Sequence, residues 1–337
     1  MSKNSSTRFV FITGGVLSGI GKGVTTASIA KLLQFRGYSI RIIKIDPYLN
    51  IDPGTLNPIE HGEVFVTDDI WTFSPVKGFD FKISEIDLDF GTYERFTGME
   101  VHPSQNITSG QIYMSVILEE RKGGFLGRTV QIIPHITDRI KQRVWDVINK
   151  DPIPDVLLVE IGGTVGDIEA MPFLEAVRQL VQEVGRNRVA VVHVTLVPYM
   201  KSVGEFKTKP TQHSARTLQS LGIQPDIMIC RSEMPLSHPA KEKIALFCNV
   251  PEEQVISNPD IPQPCPFHHA NAEPDRSWCR WPLHGSASPR LAAYHRLAGD
   301  TRGFLKPVNT LGDRHAKTSQ TVEISKRRRS SGAGGEA

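Results

Sequence analysis

Short, continuous apolar runs recur along the chain as far as about residue 257. They lie at residues 9–12, 40–45, 156–159, 189–194 and 227–230. Continuous apolar residues, rather than alternating ones, are typical of strands covered on both faces of a parallel sheet. Helical patterns separate these runs at about residues 22–35, 168–184 and 214–221. The alternation predicts an α/β protein with a doubly wound, mostly parallel sheet and flanking helices, whose ligands bind at the carboxyl ends of the strands.

Two stretches depart from this alternation. Residues 70–86 resemble an acidic, turn-like passage that is interrupted by an aromatic segment at 71–79. Residues 262–337 lack periodicity and include a basic run at 326–329, which is typical of a solvated, poorly ordered extension. We therefore expect an N-terminal tail at 1–7, a folded domain at 8–261 with an unusual insertion near 70–86, and a disordered or irregular tail at 262–337.

The composition narrows the possible partners. The 337 residues include 39 basic and 36 acidic side chains, so the net charge is only +3. This near-balance argues against nucleic acid or an anionic membrane as the main partner. No apolar run reaches the roughly 18 residues of a membrane-spanning helix, and no apolar leader precedes residue 8. Four cysteines without a Cys-x-x-Cys pair indicate a reducing environment, and we expect a cytoplasmic protein.

A glycine-rich turn at residues 13–24 joins the first apolar run to the first helical pattern. Its backbone N–H groups and the following helix N-terminus can bind phosphate, and Lys22 adds a positive charge for the β- and γ-phosphate oxygens. The standard P-loop pattern is not met, because Gly15 to Gly21 is one residue too long and Gly23 stands where a metal-binding hydroxyl belongs. Mg²⁺ would therefore need carboxylates from elsewhere. The alternative is a turn whose glycines only permit close packing.

The turn is one of several ordered motifs that resemble the N-terminal synthetase domain of CTP synthases. They are TGGVLSGIGKG at 13–23, KIDPYLNIDPGT at 44–55, HGEVFV at 61–66, DLDFGTYERF at 87–96, VQIIPHIT at 130–137, VEIGGTVGDIE at 159–169 and KTKPTQHS at 207–214. The resemblance implies that ATP phosphorylates the uracil O4 of UTP, and that ammonia from a C-terminal glutaminase domain then displaces this phosphate at C4 to give CTP. It also implies Mg²⁺ as cofactor, CTP as feedback inhibitor and a homotetramer.

The resemblance further implies roles for individual residues. Lys22 and Lys44 would be the catalytic lysines, and Asp89 and Glu160 would hold Mg²⁺. The ATP-binding residues would be Gly19, Ile20, Gly21, Lys22, Gly23, Val24, Asp89, Asp260 and Ile261. The UTP- and CTP-binding residues would be Ser18, Asp167, Ile168, Glu169, Lys207, Thr208, Lys209, Pro210, Thr211, Gln212 and Lys243.

The residues by themselves leave simpler alternatives open. Lys44 closes an apolar strand and could be a lysine that snorkels to solvent. Asp89 could be a solvated turn carboxylate, and Glu160 could form an ion pair at a strand end. The basic segment that includes Lys207 could be a solvent loop, and Asp167 is equally a good helix N-cap.

In two places the sequence departs from the family pattern. The insertion near 70–86 lies directly before Asp89 and would weaken a magnesium site if it displaced this carboxylate. Beyond residue 261 the sequence resembles nothing in the family, and the motifs of the glutaminase domain are absent. We therefore expect an enzyme that uses free ammonia or is impaired, and an uncertain assembly. Two other classes stay open: an inert nucleotide-binding remnant, and a P-loop switch ATPase of the partitioning type.

Overall fold

A computed structural model of the chain describes residues 6–260. The strands are β1 (Arg8–Gly14), β2 (Ile40–Asp46), β3 (Phe65–Val76), β4 (Phe79–Ile86), β5 (Asn106–Thr108), β6 (Val156–Ile161), β7 (Val189–Leu196), β8 (Tyr199–Met200), β9 (Glu205–Phe206), β10 (Ile227–Ser232) and β11 (Val255–Pro259). Seven of them form one sheet in the order β11-β10-β7-β1-β6-β2-β5, and every pair in it is parallel. The predicted fold class is confirmed.

Helices cover both faces of this sheet. They are α1 (Lys22–Phe35), α2 (Pro58–His61), α3 (Asp89–Thr97), α4 (Ser109–Arg121), α5 (Thr137–Ile148), α6 (Met171–Val184), α7 (Lys209–Ser220) and α8 (His238–Cys248). Because successive strand residues point to opposite faces, Val10 and Ile12 pack with α1 and α3, whereas Phe9 and Phe11 pack with α5 and α6. In the strand order given above, β2 and β6 lie on one side of β1, and β7 and β10 lie on the other. This reversal of strand order places the expected ligand crevice at the carboxyl end of β1.

The interpretation of residues 70–86 as a turn-like passage is wrong. The segment belongs to an antiparallel hairpin of β3 and β4, with a turn at Gly78 (φ 90°). Its side chains alternate, so that Phe73 and Ile83 are buried against the core. The Arg143 guanidinium of α5 lies 4.6 Å from the centre of the Trp71 ring. The hairpin is thus packed onto the domain.

Other boundaries also differ from the sequence expectation. The helix expected from residue 214 begins five residues earlier, at Lys209, because Pro210 fits the first turn, where its missing N–H costs nothing. The helices α3, α4, α5 and α8 and the strands β5 and β11 were not predicted. Within residues 6–260, none of the helices has the length and apolar character needed to cross a membrane. The tail at 262–337 and Ile261 lie outside the described residues.

Candidate active site

The glycine-rich turn lies at the carboxyl end of β1, between that strand and α1. Two of its glycines are required by close packing. A Cβ on Gly14 would lie 2.7 Å from Cδ of Lys22, and a Cβ on Gly15 would lie 1.5 Å from Oγ of Ser214 in α7. Gly21, at the N-cap of α1, has a φ of 99° that favours glycine. The turn therefore combines the phosphate-loop topology with tight contacts to α7.

Lys22, the first residue of α1, extends back over the turn. Its Nζ donates a hydrogen bond of 2.8 Å to the carbonyl of Gly163, in the loop after β6. Burial lowers the pKa of Lys22 below its ordinary value, although the charge of Glu160 opposes this effect. The ammonium group is therefore held in an environment that favours a further anion beside it.

Lys44 is buried at the centre of a group of four carboxylates, which we call the carboxylate cluster; Asp46 and Glu160 are buried, and Asp87 and Asp89 are partly exposed. Its Nζ contacts Asp89 and lies 3.2 Å from Glu160, 3.5 Å from Asp87 and 3.9 Å from Asp46. Lys44 and Glu160 face one another because β2 and β6 are paired in register at these residues. Burial disfavours the ammonium charge, but the carboxylates outweigh it and raise the pKa of Lys44 well above its ordinary value. Lys44 is thus a buried ion-pair partner and does not snorkel to solvent.

The two predicted metal ligands, Asp89 and Glu160, both belong to the carboxylate cluster. Glu160 is buried, and its Oε2 accepts hydrogen bonds from Thr26 (2.7 Å) and Tyr93 (2.6 Å). Asp89 begins α3 and lies so close to α1 that a Cβ on Gly23 would be 2.6 Å from its Oδ1. The hairpin therefore leaves Asp89 beside the phosphate loop.

The cluster contains more acidic than basic groups. Four carboxylates lie around Lys44, and Lys22 is the second cation in their field. The pKa of Asp46 is raised to about 8. Burial is the main cause of this rise, and the nearby negative charge of Asp87 adds to it. The carboxylate oxygens therefore suit a hard divalent cation such as Mg²⁺.

The segment at the start of α7 divides into exposed and buried residues. Lys207 and Lys209 are exposed, whereas Thr211 donates to the carbonyl of Leu196 (2.9 Å) and Gln212 donates to Oγ1 of Thr208 (2.9 Å). The buried residues fix the segment, and the lysines face solvent.

A third lysine lies near this segment. The hydrogen bond from Lys207 (2.7 Å) and, more weakly, the charge of Lys243 in α8 lower the pKa of Glu205. Lys207 thus forms an ion pair with Glu205, and Lys243 adds a weaker positive field on the same carboxylate.

Asp167 occupies the N-cap position of a short 3-10 helix at Ile168–Ala170, but its side chain makes no capping hydrogen bond. Its Oδ2 instead accepts from the backbone N–H of Thr164 at 2.9 Å, which closes the loop after β6. Ile168 and Glu169 are exposed beside it, and Ser18 is exposed in the glycine-rich turn. This loop contacts α7, because a Cβ on Gly166 would lie 3.5 Å from Cγ2 of Thr217.

Arg231, at the end of β10, was missed by the sequence reasoning. It donates to the carbonyl of Gly19 (3.1 Å) and to the carboxylate of Asp260 (2.8 Å). It thereby joins the phosphate loop to the segment expected to recognise adenine.

The structure thus gathers Lys22, Lys44, Asp89 and Glu160 at one edge of the sheet, with the loop after β6 and α7 beside them. Asp46, Asp87 and Tyr93, which complete the cluster, were not among the predicted site residues. The sequence could have indicated two of them, since Asp46 ends the strand that contains Lys44 and Tyr93 lies one helical turn after Asp89.

Comparison with known proteins gives a match over the residues that form this domain. The family profile described as the CTP synthase N-terminus matches residues 8–268. A CTP synthase of Caldanaerobacter subterraneus is 54% identical over 254 residues, which are 75% of this chain and 45% of the relative. One of Clostridium perfringens is 56% identical over 260 residues, 77% of this chain and 46% of the relative. The match thus spans about half the length of these relatives.

Among solved structures, the 54 kDa protein of the signal recognition particle from Aeropyrum pernix, in complex with GDP, aligns with a TM-score of 0.39. It is 10% identical and the alignment covers 76% of this chain and 43% of that chain. The strand order given above, and not this weak similarity, defines the fold.

Proposed function

The chain belongs to the CTP synthase family, whose N-terminal region it matches, and from this we propose that it catalyses the ATP-dependent amination of UTP to CTP. The observation that carries the proposal is the convergence of the glycine-rich turn, the partly buried Lys22, the buried Lys44 and two carboxylates at one edge of the sheet. Phosphoryl transfer needs positioning and charge stabilisation more than covalent chemistry, and this arrangement supplies both.

We propose that the ATP phosphates lie along Gly19–Val24, with Lys22 beside the terminal phosphates. Arg231 supports this by fixing the carbonyl of Gly19 and the carboxylate of Asp260, so that the loop and the adenine segment keep one geometry. Asp260 and Ile261 would then meet the adenine. Lys44 would stabilise the negative charge that develops as the phosphoryl group moves to the uracil O4.

Asp89 and Glu160 would hold Mg²⁺, because both contact Lys44 in a cluster rich in carboxylates. The ion would neutralise the charge of the transferring phosphoryl group. Thr26 and Tyr93 orient Glu160 by their hydrogen bonds, which leaves its other oxygen directed at Lys44.

The triphosphate of UTP would bind the exposed lysines near α7. Lys207, Lys209 and Lys243 carry the charge, and the buried Thr208, Thr211 and Gln212, with Pro210, hold the segment in shape. CTP, which shares this triphosphate, would compete there as feedback inhibitor. Ser18 and the loop residues Asp167, Ile168 and Glu169 would contact the pyrimidine nucleotide; their side chains are exposed, and the loop after β6 contacts α7.

We propose that this 337-residue chain, assayed by itself, uses free ammonia and not glutamine. Glutamine hydrolysis in this family needs a cysteine nucleophile, and neither described cysteine suits that role. Burial raises the pKa of Cys230 to about 12 and that of Cys248 to about 11, so both thiols stay protonated at neutral pH. A cytoplasmic location and assembly into homotetramers are further parts of the proposal.

The test is CTP formation by the purified full chain with UTP, MgATP and either ammonium chloride or glutamine. We expect CTP with ammonium alone, and loss of this activity in Lys22→Met. Nucleotide binding without CTP would identify an inert remnant, and ATP hydrolysis independent of UTP would identify a switch ATPase. Either result would refute the proposed synthetase activity.

A further inference from the structure

A completely buried histidine, His193, lies inside the apolar strand β7 and has no part in the proposed chemistry. Both of its ring nitrogens are hydrogen-bonded. Nδ1 lies 2.8 Å from Oγ1 of Thr13 in β1, and Nε2 lies 2.8 Å from Oγ of Ser214 in α7. The ring therefore connects the strand that leads into the phosphate loop with the helix that begins at the UTP segment.

One tautomer lets both hydroxyls donate. In it, the Thr13 hydroxyl donates to the carbonyl of Val192 at 3.4 Å, Nδ1–H donates to Thr13, and Nε2 accepts from the hydroxyl of Ser214; we assign this tautomer to the ring. Burial, with a smaller contribution from the charge of Lys22, lowers the pKa of His193 to about 3. The ring is therefore neutral at pH 7, as this arrangement requires.

The phosphate loop rests directly on this pair. A Cβ on Gly15 would lie 1.5 Å from Oγ of Ser214 and 3.0 Å from Nε2 of His193, and the Gly15 N–H donates to the carbonyl of Val194 at 3.0 Å. The neighbouring Gly14 lies under the side chain of Lys22. A displacement of Ser214 would therefore move Gly15, and the adjacent Gly14 would then move the side chain of Lys22.

We propose that His193 is a positioning residue that holds the phosphate loop and α7 in one relative arrangement, so that the two nucleotide triphosphates bind at a fixed position relative to each other. This inference rests on the proposed function, because it assigns ATP to the loop and UTP to the start of α7. His193 itself touches neither nucleotide. Its effect passes through Thr13 on one side and Ser214 on the other. In a catalytic site, displacement of a positioning contact by about 1 Å can cost on the order of 100-fold in rate.

The experiment measures dissociation constants of a non-hydrolysable ATP analogue with Mg²⁺, and of UTP, for the full chain and four variants. His193→Leu removes both hydrogen bonds, and Ser214→Ala removes only the Nε2 partner. His193→Gln places an amide near Nε2 and retains the contact with Ser214. We expect both nucleotides to bind about 10- to 100-fold more weakly to His193→Leu, and about tenfold more weakly to Ser214→Ala, with recovery to near the wild-type value in His193→Gln.

Thr195→Val is the matched control. Thr195 is completely buried, lies two residues along β7 on the same face, and has Sγ of Cys230 (3.8 Å) as its hydrogen-bond partner. We expect this variant to lose stability without any change in nucleotide affinity.

The inference is overturned if His193→Leu or Ser214→Ala, folded as judged by urea denaturation, binds both nucleotides within twofold of the wild type. It is also overturned if Thr195→Val weakens binding as much as His193→Leu does. Failure of the wild-type chain to bind UTP would refute the proposed function instead, and the ATP-analogue titration would still decide whether His193 positions the loop.

Discussion

Substitution of Lys44 by methionine tests whether the carboxylate cluster depends on one buried ammonium group. Lys44 is 5% exposed and lies within 3.9 Å of all four carboxylates. A unit-charge pair about 4 Å apart near a protein surface is worth about 4 kcal/mol before desolvation. Removing one partner of a buried ion pair typically costs about 3–5 kcal/mol, because the other charge is left uncompensated. We therefore expect Lys44→Met to lower the free energy of unfolding by about 3–5 kcal/mol.

Lys22→Met is the matched control, because Lys22 lies in the same field with the opposite pKa shift. The pKa of Lys22 is lowered, so its charged form is less stable in the folded chain than in the unfolded one. Its removal should cost only the hydrogen bond to Gly163, about 1 kcal/mol. Both variants should lose synthetase activity, and only Lys44→Met should lose much stability.

The assay is urea denaturation in EDTA, followed by tryptophan fluorescence. A second change should restore part of the loss. In Lys44→Met/Glu160→Gln, the amide NH₂ replaces the oxygen that faced Lys44, and the carbonyl keeps the bonds from Thr26 and Tyr93. We expect the double variant to be more stable than Lys44→Met alone. Equal stability of Lys44→Met and Lys22→Met, or further loss in the double variant, would refute this account of the cluster.

Three further predictions concern nucleotide affinity and pH. Lys207→Met should raise the KM for UTP about 10- to 150-fold and leave the KM for ATP unchanged, because a charge-assisted contact is worth about 1.5–3 kcal/mol. Lys31→Met, on α1, is the control, and an equal effect on both substrates would contradict the assignment. Arg231→Leu should raise the KM for ATP and not the KM for UTP, because the substitution frees Gly19 and Asp260. Steady-state kinetics with each substrate varied in turn measure both constants, and a rise in the KM for UTP alone would contradict this prediction. In EDTA, stability should fall as pH rises from about 6.5 to 8, because Asp46 holds a proton in the folded chain that the unfolded chain releases. Below about pH 6.5 the buried, neutral His193 opposes this trend, because the unfolded chain protonates that ring. Asp46→Asn should flatten the fall in urea titrations, and an unchanged slope would exclude Asp46 as its source.

Periodicity and motif order in the sequence were sufficient to predict the five central strands of the sheet and the glycine-rich turn, but not the edge strands β5 and β11. Buried strands of a parallel sheet leave continuous apolar runs, and the runs at β1, β2, β6, β7 and β10 were all found. The hairpin was missed because its alternation, Trp71 and Phe73 on β3 against Phe81 and Ile83 on β4, lies among polar residues that suggested a turn. A period of two in that segment would have identified it.

The interior of the site was harder to predict, because its contacts join residues that are distant in the chain. Glu160 meets Lys44 through strand register, and Tyr93 meets Glu160 only after α3 packs on α1. His193 gave one local signal, a titratable residue inside a run that is otherwise almost wholly apolar. Such a residue must have buried hydrogen-bond partners, but the sequence does not say which ones.

The position of Asp89 next to the hairpin has a local explanation. The backbone N–H of Asp87 donates to Asn106 in β5 (3.2 Å), and the Asp87 carboxylate accepts from the backbone N–H of Asp89 (2.9 Å). Asn106 also donates to Asp46 at 2.8 Å, so the anchor belongs to the carboxylate cluster itself. Because these bonds form after the last residue of β4, the hairpin can change in length without moving Asp89. The cluster, rather than the segment that precedes it, therefore sets where this carboxylate lies.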